Sequence, residues 1–243
     1  MANTNIILKT ENITKKFGGL KALENVNIEV EKGKVVGLIG PNGAGKTTLF
    51  NVITGFYKPD GGRVLLEDKN ITGLSPHQIC KLGVTRTWQI LKPLSTMTVE
   101  DSLKVSLYNR NKGPVLGEKL EKLLDFFDLK KIRNRLCGRL TVLELKLVSL
   151  AQALATEPKI LLIDEIGAGL NPLEQDEITD FINNINKNLK IGILWVEHVM
   201  RMIMKGSKKI YVLNFGKIIS CGPPKKICKD IEVKKAYLGE VYG

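Results

Sequence analysis

No stretch of this 243-residue chain approaches the roughly 20 consecutive apolar residues needed to span a bilayer, which argues against a membrane-crossing helix. The opening run M-A-N-T-N-I-I-L-K-T-E lacks a basic lead followed by a long apolar region, so no secretory signal is expected. Cysteine is scarce and scattered: Cys80, Cys137, Cys221 and Cys228 form no C-x-x-C pair. That favours a reducing compartment over a disulfide framework or a zinc site. Low-complexity tracts, long linkers and internal repeats are absent. Acidic residues are also in deficit, 25 against 37 basic ones, leaving a formal charge of +12. A nucleic-acid partner, contact with anionic headgroups or the cytoplasmic loops of a membrane protein, and a plain solvated lysine surface all fit that charge. Few aromatics lie among the dispersed lysine pairs, so no stacking platform for single strands is evident.

What remains is 43% hydrophobic, enough for a substantial core. Residues 6–36 hold short alternating stretches broken by Gly18-Gly19 and Gly33, which read as strands joined by turns. A further strand at 64–66 follows a turn at 59–62. From about 100 to 155 the apolar residues recur at three and four, as in Leu140, Leu143, Leu147, Leu150 and Leu154, a helical pattern. The β signal returns at 160–163, 191–196 and 210–213, with a hairpin tip at 215–217 before Ile218-Ile219. Near-continuous apolar strands alternating with helices predict an α/β fold with a mostly parallel sheet covered on both faces. The reading is one domain over 1–243: a core at 6–88 and 156–220, a helical lobe inserted at about 90–155, and a tail at 221–243.

The most informative segment is G-P-N-G-A-G-K-T-T at 40–48, between an apolar run at 35–39 and a predicted helix over 47–52. Strand, glycine loop and helix together are the setting in which G-x-x-x-x-G-K-T binds phosphate. Gly40, Pro41, Asn42, Gly43, Ala44 and Gly45 let backbone N–H groups curl around a triphosphate, and Lys46 adds a positive charge at its β/γ end. The helix start at Thr47 and Thr48 adds its partial positive charge, and the Thr47 hydroxyl can ligate Mg²⁺.

A second half of the site is predicted downstream. The apolar strand at 160–163 ends in Asp164-Glu165, where ligands of open α/β sheets sit. Asp164 can reach the Mg²⁺ held by Thr47, and Glu165 is placed to take a proton from a water attacking the γ-phosphorus. The strand at 191–196 ends in Glu197-His198, which makes His198 a candidate for contacting the γ-phosphate. Gln89, between core and helical block, carries a carbonyl suited to a metal or water contact.

In this order the pieces resemble the ATP-binding subunit of ABC transporters: Phe17, 40–47, Gln89, I-L-L-I-D-E at 160–165, A-G-L-N at 168–171 and His198. The resemblance covers nearly the whole chain and implies a P-loop ATPase core with an N-terminal antiparallel β portion and a helical lobe. It implies that Phe17 stacks on adenine, Asp164 supports Mg²⁺, Glu165 is the catalytic base, Gln89 senses nucleotide for the membrane partner, and His198 is the switch histidine. Residues 168–171 would cross a dimer interface. T-G-F-Y-K-P-D-G-G at 54–62, R-T-W-Q at 86–89, M-T-V-E-D-S-L at 97–103, A-G-L-N-P at 168–172 and A-Y-L-G-E at 236–240 resemble the branched-chain amino acid importer branch. The implied partners are a second ATPase subunit, membrane permease subunits and, indirectly, a solute-binding protein, with no nucleic acid, at the cytoplasmic face of the membrane. The competing functions are a non-transport ATPase of the same family acting on nucleic acid or ribosomes, and an ATP-binding subunit with one degenerate site.

One motif departs from the family. Where L-S-G-G-Q should open the helix before the Asp164 strand, the chain reads L-T-V-L-E at 140–144. Thr141 keeps a hydroxyl, but Val142 and Leu143 add Cβ atoms where backbone should approach a phosphate. Glu144 brings negative charge toward a polyanion, at a cost of roughly 1–4 kcal/mol for a screened pair near 4 Å. Thr141-x-x-Glu144 also fits a capping box. Ile166, where the family usually has proline, is expected to have a small effect on the turn after Glu165.

Overall fold

The structure is a computed structural model and describes residues 5–87, 95–108 and 114–238. Two long strands, β1 (Ile6–Phe17) and β2 (Leu20–Glu31), pair antiparallel around the Gly18-Gly19 turn. With β4 (Gly61–Leu66) and β5 (Lys69–Asn70) they form a four-stranded antiparallel sheet, ordered β2-β1-β4-β5. The turn expected at 59–62 is shorter, since Gly61 and Gly62 already belong to β4.

The second sheet carries the chemistry. It combines β3 (Val35–Ile39), β6 (Val84–Arg86), β7 (Ile160–Asp164), β8 (Gly192–Val196), β9 (Lys209–Asn214) and β10 (Lys217–Gly222) in the order β10-β9-β3-β8-β7-β6. All its pairings are parallel except the β9–β10 hairpin. Strands β3, β7 and β8 are buried at every residue, because helices and the other sheet cover both faces. The period of two divides their side chains between two cores. Val35, Leu161, Ile163, Ile193 and Trp195 face a cluster shared with the helical lobe. Val36, Leu38, Leu162, Leu194 and Val196 face one shared with β1, β2 and α1 (Lys46–Ile53).

A short helix, α2 (Pro76–Leu82), leads into β6. The helical block consists of α3 (Val99–Tyr108), α4 (Pro114–Phe126) and α5 (Val142–Ala155), with 3₁₀ turns at Lys130–Ile132 and Cys137–Arg139. After β7 comes α6 (Pro172–Leu189), which has no counterpart among the elements read from the sequence. Its signals were nonetheless present. Asn171 and Glu174 form a capping box, Pro172 occupies the first turn, and Ile178, Ile182 and Ile185 bury one face. Helices α7 (Met200–Gly206), α8 (Pro224–Ile227) and α9 (Ile231–Leu238) complete the described chain. Among the described residues no helix is long and apolar enough to cross a membrane.

Candidate active site

The glycine loop runs from the end of β3 into α1, and its neighbours dictate its composition. A Cβ on Gly40 would lie 2.0 Å from the Leu213 carbonyl oxygen. Gly45 sits at φ +108°, and a Cβ there would meet the Ala22 carbonyl at 2.6 Å. The β9–β10 turn is fastened to the loop, since the Gly216 N–H donates to the Ala44 carbonyl at 2.9 Å. The Glu24 N–H of β2 in turn donates to the Gly216 carbonyl at 2.8 Å. Helix α1 begins at Lys46 with no side-chain cap and no acid in its first turn, so its N-terminal donors face the cleft without an internal anion. Lys46 is buried and its Nζ donates to the carbonyls of Gly40 (2.7 Å) and Pro41 (3.0 Å). Burial pushes its ammonium below the ordinary lysine range, while the charges of Glu165 and Asp164 pull the other way.

An open cleft of about 410 Å³ lies over this loop. Residues 42–48 form its floor, Phe17 and Leu20 of the β1–β2 hairpin and Phe215 of the β9–β10 turn rise beside it, and Glu165 and His198 close another side. Glu165 and His198 come from the ends of neighbouring parallel strands, β7 and β8. The His198 Nε2 and Glu165 Oε1 share a hydrogen bond of 2.6 Å. Glu165 is a non-glycine residue at φ +46°, held there by its N–H donating to the Val196 carbonyl at 2.9 Å. A side chain kept in the left-handed region costs free energy that surrounding contacts must offset, a pattern concentrated at functional sites.

Asp164 lies at the end of β7, only 2% exposed. Its Oδ2 accepts from Arg86 Nη2 at 2.5 Å, and Arg86 Nη1 donates to Asn51 Oδ1 of α1 at 2.6 Å. The Arg86 guanidinium also stands 5.3 Å from the centre of the Phe50 ring. The second oxygen, Asp164 Oδ1, is buried without a hydrogen-bond partner among the described residues. An orphaned carboxylate oxygen beside a phosphate-type loop suits a divalent cation or its water.

The structure thus brings Phe17, residues 42–48, Glu165 and His198 into one cleft. Gly40 and Pro41 lie beneath it, bonded to Lys46. Gln89 lies outside the described residues, as do 239–240 of the A-Y-L-G-E run. Thr141 does not line this cleft. It is the N-cap of α5 in a complete capping box: the Glu144 N–H donates to Thr141 Oγ1 at 3.2 Å, and the Thr141 N–H donates to Glu144 Oε2 at 2.8 Å. The capping box expected at Thr141-x-x-Glu144 is therefore formed, and the Glu144 carboxylate is also paired, since Arg135 Nη1 donates to Glu144 Oε1 at 2.7 Å. Ile166 is buried in the core shared with the helical lobe. Sequence reasoning assigned no role to Arg86, Asn51, Phe215 or Glu197. No strand was read at 84–86, so the pairing that sets Arg86 beside Asp164 left no signal in the sequence.

The ABC transporter family matches residues 23–168. The high-affinity branched-chain amino acid transport ATP-binding protein LivG of Escherichia coli K12 is 37% identical, covering 96% of this chain and 98% of that protein. The probable branched-chain amino acid transport ATP-binding protein LivG of Methanocaldococcus jannaschii is 38% identical over 99% of this chain and 100% of its own length. A crystal structure of the ADP conformation of an ATP-binding cassette from an ABC transporter superposes with a TM-score of 0.88 at 36% identity, covering 96% of this chain and 99% of that one.

Proposed function

This chain belongs to the ABC transporter family, and from that membership we propose that it is the ATP-hydrolysing subunit of an importer for branched-chain amino acids or a related small solute. One observation carries the reading: Lys46 at the glycine loop and the Glu165–His198 pair line a single cleft. The relatives' names supply the solute class. Action on nucleic acid or ribosomes is not favoured, since the +12 charge is its sole support.

In this reading ATP enters with its base beside Phe17 and its phosphates over residues 42–48. Lys46 exchanges its bonds to the Gly40 and Pro41 carbonyls for phosphate oxygens. Those two carbonyls hold the ammonium in position beforehand, which lowers the ordering cost of binding. Thr47 and Asp164 Oδ1 are the groups that would hold Mg²⁺, which when bound offsets phosphate charge. Glu165 takes the proton of the attacking water. His198, bonded to Glu165 before nucleotide arrives, is released to orient the γ-phosphate. Cassette, permease and second ATPase subunit would assemble at the cytoplasmic face of the membrane.

The dimer is proposed to be asymmetric. Residues 140–144 do not line this chain's own cleft, so any nucleotide contact they make belongs to a neighbouring subunit. There, Val142 and Leu143 replace glycines, and the helix end is already satisfied by Thr141 and Glu144. The site they complete would turn over slowly, while this chain's P-loop would fire when a partner supplies an intact signature.

The test is Glu165→Gln. It should keep ATP binding and lower turnover about 10²- to 10⁴-fold, the range of general-base catalysis. Full activity in that variant would refute the assigned base.

A further inference from the structure

Glu197 is an unusual residue to find where it is. It is a carboxylate only 1% exposed, immediately before His198, and the mechanism above gives it no task. Buried carboxylates persist when donors converge on them. Here Glu197 Oε1 accepts from the Gly167 N–H at 2.6 Å, and Glu197 Oε2 accepts from the His198 N–H at 3.3 Å. One side chain thus grips the backbone two residues beyond Glu165 and the backbone of His198 itself. Val196, one residue earlier, accepts the Glu165 N–H at 2.9 Å.

A third element converges on this point. Lys146 of α5 is 4% exposed and makes no hydrogen bond or ion pair among the described residues, yet its charge interacts first with Glu197 and then with Glu165. Burial lowers the Lys146 ammonium, while the charges of Glu197 and Glu165 pull it back up; burial raises the Glu197 carboxyl, while the Gly167 N–H pulls it back down. Helix α5 is the helix that opens with residues 140–144. The loop from Gly167 onward runs to Asn171, the cap of α6, and is compact, with the Leu170 N–H donating to the Gly167 carbonyl at 3.3 Å.

We propose that Glu197 is a positioning residue for the Glu165–His198 pair, with Lys146 as its counter-charge. Together they fix the spacing between the 165–171 loop, the His198 turn and α5. A shift of the loop or of α5 then changes the distance between Glu165 and His198. Glu197 touches no reacting atom; it acts through the backbone it holds. The proposal rests on the ATPase reading above, and its test separates the two.

Wild type, E197A, E197Q, K146M and the E197Q/K146M double variant are compared for ATP affinity by calorimetry and for steady-state turnover, with melting curves as the check on folding. E197A should lower kcat about 10- to 100-fold, the scale of a small misplacement at the reacting centre. ATP affinity and KM should stay within about threefold, because the phosphate-binding loop is untouched. E197Q keeps a side-chain oxygen for the Gly167 N–H and should recover part of that turnover. K146M and E197Q should be non-additive, the double variant losing less than the product of the single losses. Wild-type turnover in E197A, a loss confined to KM, or strictly multiplicative effects in the K146M/E197Q cycle would overturn the proposal. If E197A does not fold, the K146M/E197Q cycle decides it. Absence of ATP binding by the wild type would instead sink the ATPase reading.

Discussion

Helices α1 and α5 both begin at a turn where the sequence reading sets a phosphate-contacting motif of the resembled family, and they begin in opposite ways. Helix α1 starts after Gly45 in the left-handed region, with no side-chain cap, no first-turn acid and a buried lysine as its first residue. Helix α5 starts after Thr141 in extended backbone, with a reciprocal capping box and Glu144 paired to Arg135. The helix dipole is available at both ends. Only α1 leaves its donors unclaimed. An N-terminus becomes an anion site when the chain withholds its own cap; when the chain supplies one, the same geometry is spent on stability.

The contrast can be broken at its strongest point by giving Gly45 a side chain. Gly45→Ala forces a Cβ against the Ala22 carbonyl at a residue with φ +108°. We expect ATP affinity to fall at least about tenfold and the fold to lose about 1–3 kcal/mol, read by calorimetry and denaturant titration. Affinity equal to wild type would show that the loop tolerates the strain.

A smaller effect is expected from rebuilding the other helix start. Combining Thr141→Ser, Val142→Gly, Leu143→Gly and Glu144→Gln restores backbone access while keeping capping-box chemistry, since glutamine serves at that position. ATP turnover of the assembled complex should rise several-fold, roughly the 1 kcal/mol scale of one recovered hydrogen bond. No change would count against the asymmetric dimer.

The smallest effect sharpens the comparison. Thr141→Ala removes the cap and should cost about 1 kcal/mol of stability. ATP binding by this chain should not change, because Thr141 lies outside its cleft. Weakened ATP binding in the isolated protein would mean the two helix starts are coupled within one subunit.

The parts legible in the sequence were those in which chemistry and neighbours are local. The glycine loop, the strand-end acids, the hairpin tip read at 215–217 and the Thr141–Glu144 box are each fixed by a few consecutive residues. The convergence of Glu165 with His198 was also legible, because parallel strands deliver their ends to one edge. The buried ion pair of Arg86 with Asp164 was not, since its partners lie 78 positions apart and nothing in either segment names the other. Glu197 escaped for the same reason: its grip on Gly167 spans 30 positions. Helix α6 escaped despite its capping box, because its single buried stripe is diluted by polar residues between Ile178, Ile182 and Ile185.

The central claim is that Lys46 anchors a triphosphate in the cleft that Glu165 overlooks. Titrating Mg-ATP calorimetrically into the protein and into Lys46→Ala tests it most directly. The account predicts saturable binding by the wild type and an affinity about 10- to 100-fold weaker in the variant, the cost of a lost charge-assisted bond. No heat of binding from the wild type, or equal affinity in the two proteins, would contradict it.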